Sequence, residues 1–171
     1  FAVQATPRVI GLDDPSPVHG RFVPARMDDF AWESDRIAYR AYGPALRQET
    51  VSNGIDVWLK RVRYPIIEKW YQPGADYHAD HGEGADLFKV GPTLGCVATA
   101  VCKDGKIHRG ENFAKWRVLA DGPVRTLFEL EYDARPIDGW SGVRHEADGC
   151  EAAVGRRRRT GRDRLGVLEA R

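Results

Sequence analysis

The sequence predicts an all-β protein built as an antiparallel β-sandwich. Short runs of period-2 alternation, rich in β-branched and aromatic residues, recur between turn residues, whereas helical periodicity is weak. The 171 residues are 42% hydrophobic and 10% aromatic, which suits a globular domain large enough to bury a core.

The elements follow in order. Residues 1–20 read as one short strand and a connection carrying Pro7, Pro15, Pro17 and Gly20. Trp32 to Tyr42 alternates in part, with Ile37, Tyr39 and Ala41 on one parity and Arg36, Ala38 and Arg40 on the other. Ile55 to Val62 is rich in β-formers, and Tyr64 to Tyr71 reads as about two helical turns with Pro65 at the first helical position. Leu94 to Val101 and Lys106 to His108 are strand candidates, with Asp104-Gly105 a good hairpin turn between Cys102 and Lys106. Phe113 to Leu119 is another. Val124 to Tyr132 gives the cleanest pattern: Val124, Thr126, Phe128, Leu130 and Tyr132 share one face.

The domain reading is therefore a β-sandwich over residues 1–140 and a different segment over 141–171. From about Ser141 the chain loses its strand alternation and carries Arg156–Arg159 as a block. That block reads as an anionic-polymer patch, a solvated disordered tail, or text from a lost reading frame. No function is assigned to it.

Composition narrows the partners. A net charge of +1 argues against nucleic acid, which selects a clear positive excess. No apolar run approaches the roughly 20 residues needed to span a bilayer, so no membrane partner is expected. The chain opens on Phe1 with no signal-peptide pattern, so it is expected to be processed or a fragment. Cys96, Cys102 and Cys150 show no zinc spacing and are expected to be buried free thiols.

Two segments carry candidate chemistry. In Asp28 to Gly43, Arg36 and Arg40 would lie on one strand face, about 13 Å apart at the usual rise. Their guanidinium forks match carboxylates, while Trp32, Tyr39 and Tyr42 offer stacking surfaces. Structural pairing with the acids upstream would use the same arginines. The second segment, Tyr77 to Asp86, packs His78 and His81 with Asp80, Glu83 and Asp86 among glycines. Histidine beside a carboxylate can run acid–base catalysis near neutral pH. The same groups could hold a divalent metal, although neither His-Glu-x-x-His nor His-x-His spacing occurs. The carboxylates could also bind sugar hydroxyls without catalysis, or simply form a polar turn. His108 and His145 are read as incidental, and Lys60, Arg61 and Arg63 as a solvated strand face.

These strings resemble a bacterial family known as a domain of unknown function, whose members look secreted or periplasmic and are associated with utilisation of uronic-acid-containing polysaccharides. The resemblance rests on Arg21 to Pro24, Asp28 to Pro44, Gly54 to Trp58, Tyr77 to Gly84 and Lys89 to Thr93, and covers roughly residues 18–139. It implies a larger β-sandwich similar to the mutarotase-like supersandwich, of which this chain would be an incomplete part. It also implies a periplasmic or secreted location and a saccharide substrate. It brings no catalytic residues with it.

The resulting expectation is a carbohydrate-active protein working on acidic polysaccharides or oligosaccharides as a lyase, epimerase or hydrolase. His78 and His81 would be the acid–base groups, oriented by Asp80 and Glu83. Arg36 and Arg40 would hold a uronate carboxylate, Trp32 would stack on the ring, and Tyr77 and Asp86 would complete the binding set. No cofactor is expected, a divalent metal being the alternative. The competing readings are a non-catalytic carbohydrate-binding module and a metal-dependent sugar enzyme.

Overall fold

Five strands pair antiparallel in chain order to form the main sheet: β1 (His19–Val23), β2 (Asp29–Glu33), β3 (Ile37–Ala41), β4 (Ile55–Lys60) and β5 (Gly84–Asp86). The single α-helix among the described residues, α1 (Ile67–Trp70), lies between β4 and β5. Strands β6 (Ala100–Lys103) and β7 (Lys106–Arg109) form a separate hairpin. A second sheet holds β8 (Lys115–Asp121) and β9 (Thr126–Glu131). β10 (Arg135–Ile137) pairs with β11 (Trp140–Val143), and β12 (Val167–Ala170) adds to β9. This computed structural model describes residues 18–49, 54–96, 98, 100–121, 123–133, 135–137, 140–143 and 167–170. The expected strand at the start of the chain, the arginine block, His145 and Cys150 lie outside these residues.

The antiparallel all-β expectation holds. Phe30, Trp32, Ala41 and Ile55 on one face of the main sheet meet Phe113, Phe128, Leu130 and Tyr132, with Phe30 and Phe128 centroids 4.4 Å apart. That shared core makes the two sheets a sandwich. As expected, Thr126, Phe128, Leu130 and Tyr132 face inward; Val124 instead precedes β9 and is exposed. Asp104 and Gly105 both adopt positive φ (50° and 73°), as a two-residue hairpin turn between β6 and β7 requires.

The opposite face of the main sheet is covered by residues 61–83, the connection from β4 to β5. Ile66, Ile67, Trp70 and Tyr77 pack there on Ala31, Ala38 and Trp58. The helix is one turn, shorter than the sequence suggests, and Pro65 precedes it by two positions. Its start is fixed by the buried Glu33 carboxylate. This group accepts the Ile66 amide at 2.8 Å and the Ile67 amide at 3.0 Å, and takes Lys60 Nζ at 2.7 Å. Lys60, expected on a solvated face, is thus buried against Glu33.

Two further expectations are corrected. Trp32 to Tyr42 is not one strand: the Ser34 amide donates to the Ile37 carbonyl at 2.9 Å, and the Arg36 amide to Ser34 Oγ at 3.2 Å, making a tight turn. Cys96 and Cys102 are free but exposed, on and near turns rather than in either core.

Candidate functional site

Strand alternation and register build the site. On the face covered by residues 61–83, β3 pairs Ala31 of β2 with Arg40, and Arg40 with Asp56 of β4; Trp58 then pairs with Asp86 of β5. Because neighbouring strands run in opposite directions, the start of β2, the end of β3, the start of β4 and the end of β5 all meet at one end of the sheet. Asp29, Arg40, Tyr42, Asp56 and Asp86 gather there, and the turn from β1 to β2 adds Arg26.

Charges this deep persist only with partners. Arg40 Nη2 donates to Asp56 Oδ2 at 2.9 Å, and its Nε lies 3.7 Å from Asp29 Oδ2. Asp56 also accepts from Tyr42 Oη and Trp58 Nε1, both at 3.3 Å, and from the Val57 amide at 2.9 Å. Burial works against the Arg40 charge, but Tyr71, Tyr42, Asp29 and Asp56 around it outweigh that and hold it firmly protonated. Burial pushes Asp29 up to about 7, although Arg40 and the Gly43 amide pull the other way. Burial, with the neighbouring Asp56 charge, pushes Asp86 up to about 6.

At the rim of this cluster, His78 Nδ1 lies 3.4 Å from Asp86 Oδ2, with the ring largely exposed and the carboxylate buried. The Tyr77 ring lies 4.5 Å from that of His78. An ionised Asp86 favours the tautomer with the proton on Nδ1, which leaves the Nε2 lone pair pointing away from the carboxylate. This arrangement has the geometry of an acid–base pair, an imidazole held by a carboxylate.

Other residues singled out from sequence are placed differently. Asp80 accepts the Gly82 amide at 2.8 Å and the Gly84 amide at 3.1 Å and meets Arg61 Nε at 2.7 Å. Those amides hold its carboxyl below the ordinary range. Glu83 takes Lys69 Nζ at 2.8 Å, the Tyr64 hydroxyl and Trp70 Nε1, which lower it likewise. Both acids therefore stitch the connection together, and Asp86 is the carboxylate beside His78. His81 is exposed, 4.0 Å from Asp76. Trp32 sits on the opposite sheet face, stacked on Tyr39 in the sandwich core. Arg36 ends in the turn before β3, exposed near Asp35, while Arg40 is buried, so the two do not form one clamp.

Sequence reasoning passed over Arg26, Asp56 and Tyr71, and took Asp29 only as one of the upstream acids that could pair with the arginines. It took Tyr42 as a stacking surface, whereas its hydroxyl is engaged by Arg40 and Asp56. A signal existed for the two acids: Asp29 and Asp56 are carboxylates embedded in apolar strand runs, where an acid is rarely buried without use. Among the described residues, no three His, Cys, Asp or Glu side chains converge as a metal-binding set. No helix among them is long and apolar enough to cross a membrane.

Residues 4–146 match the domain of unknown function DUF4861, and the chain belongs to that family. It is also 40% identical over 136 residues to uncharacterized protein P7 of Formosa agariphila, an alignment spanning 72% of this chain and 34% of that relative. The chain thus spans about a third of the curated relative it matches. No solved structure matches it.

Proposed function

We propose that the protein acts on acidic saccharides, with His78 as the acid–base group and Asp86 as the residue that orients it. The observation that carries this reading is the exposed His78 ring set 3.4 Å from a buried carboxylate. In a lyase or epimerase, His78 Nε2 removes the proton on the carbon next to the uronate carboxyl. Positive charge nearby then stabilises the negative charge that develops. In the lyase the neighbouring C–O bond breaks, a C=C bond forms and the leaving oxygen takes a proton from water. In the epimerase water returns a proton to the opposite face. In a hydrolase the same nitrogen serves a water or a leaving oxygen. The resemblance to proteins associated with uronate-containing polysaccharides supports the choice of substrate class, and with it an exported location and a larger supersandwich in the parent protein.

The test is incubation of the chain, and of a full-length relative, with uronate-containing oligosaccharides. Unsaturated, epimerised or shortened products are followed by absorbance and chromatography. His78→Ala should abolish turnover while calorimetric binding survives. Undiminished turnover in that variant would falsify the assignment, and binding without any product would mark a carbohydrate-binding module instead.

A further inference from the structure

We infer that Arg26 is the carboxylate-recognising residue of this site, holding the acidic group of a saccharide next to His78. The inference rests on the saccharide reading above and deepens it by assigning its anion subsite.

Arg40 cannot play that part, since Asp56 and Asp29 already occupy its guanidinium in the buried network. Arg26 is differently placed. Its Nη2 donates to the Tyr77 hydroxyl, and its guanidinium carbon lies 5.0 Å from the Tyr71 ring centroid and 5.4 Å from that of Tyr77. Two aromatic rings orient the cation without neutralising it. Among the described residues, no carboxylate comes within ion-pair distance of Arg26. Arg26 Nε and the Tyr71 hydroxyl are both buried with no hydrogen-bond partner. Unmade hydrogen bonds on buried polar atoms cost about 1–3 kcal/mol each, and one planar oxyanion could satisfy several of them together. Asp29 lies close enough to interact with Arg26, yet near pH 7 it is only partly ionised and leaves the cation incompletely balanced.

The backbone supplies an independent observation. Arg26 closes the 3-10 turn Pro24–Arg26, and the next two residues, Met27 and Asp28, are both left-handed at φ 56° and 61°. Two consecutive non-glycine residues in this region cost about 1–3 kcal/mol each, and such strain collects at ligand clamps and active sites. The turn is pinned where it stands: a Cβ on Gly43 would lie 1.8 Å from the Asp28 carbonyl oxygen. From Arg26 the path to His78 is short, through the Tyr77 hydroxyl and then the contact between the Tyr77 and His78 rings.

The experiment is calorimetric titration with a uronate-containing tetrasaccharide and with the same tetrasaccharide after its carboxyls are reduced to alcohols. Wild type should bind the acid at least tenfold more tightly than the reduced form. Arg26→Met should bind both at the level of the reduced form, Arg26→Lys should fall between, and His78→Ala should keep the full acid preference. Equal wild-type affinity for the two ligands overturns the Arg26 assignment and leaves the saccharide reading standing. So does an acid preference that survives in Arg26→Met. No binding of either ligand by wild type overturns both. Melting curves monitor the folding of the variants, and if Arg26→Met unfolds, an Arg26→Lys preference for the acid equal to that of wild type overturns the assignment.

Discussion

His78 and Asp86 face each other across 3.4 Å, although one is largely exposed and the other only 3% exposed. The pairing is made by the backbone: the Asp86 amide donates to the Tyr77 carbonyl at 2.8 Å, which holds the chain before His78 beside the end of β5. A solvent-facing imidazole is thereby attached to an interior carboxyl group.

Activity on any saccharide should therefore depend on Asp86 ionisation. With its carboxyl pushed up to about 6, kcat/KM should fall as pH drops through that value. Asp86→Asn should lower kcat by roughly 10²-fold or more, within the range for acid–base groups, with a smaller change in KM. A pH–rate profile of both proteins tests this, and wild-type activity in the variant refutes it.

Stability should decline as pH rises from 5 to 8. Asp29 and Asp86 bind protons more tightly in the folded chain than in the unfolded one. Their favourable contribution is complete below their ordinary 3.8 and is lost as pH rises through about 6 for Asp86 and about 7 for Asp29. Each contributes up to about 1.4 kcal/mol per pH unit within its window. Asp29→Asn keeps an acceptor for the Gly43 amide but cannot ionise, and should shrink the loss between pH 5 and 8 by about 2–3 kcal/mol. Urea unfolding at the two pH values measures it, and an unchanged slope would count against the buried Asp29.

Lys60→Met should destabilise the fold by about 3–5 kcal/mol, because it leaves the Glu33 carboxylate buried without its counter-charge. Hydrogen exchange at the Ile66 and Ile67 amides should quicken, since Glu33 is their acceptor. Protection equal to wild type would show that the pair does not anchor the helix.

Trp32→Ala should cost about 3–5 kcal/mol by leaving a cavity between the sheets. Once folding is restored by lower temperature, saccharide affinity should be unchanged. A selective loss of affinity would place a ligand on the other face of the sheet.

Much of the sheet was legible because alternation survives in single strands, as in Thr126 to Tyr132, and because Asp104-Gly105 has the chemistry of its turn. The grouping of Trp32 with Arg40 failed for one reason. The turn at Ser34 to Arg36 has no glycine or proline to announce it, and once it is inserted, Trp32 pairs with Tyr39 and not with the arginine face. The dense loop from Tyr77 to Asp86 was visible, but its acids were matched to the wrong partners. Nearness in sequence suggested Asp80 and Glu83 for the histidines, whereas loop closure took both acids. Arg26 was passed over because its lack of an ion-pair partner, and its place against the Tyr71 and Tyr77 rings, exist only in three dimensions.

The connection between β4 and β5 contributes Tyr71, Tyr77 and His78, while the sheet below supplies the buried acids and Arg40. Variation confined to residues 61–83 could therefore re-tool the chemistry of a homologue while the strand register stays fixed. Relatives with different substrates should differ most in that one excursion, an exchangeable cassette clipped to the sheet by Glu33.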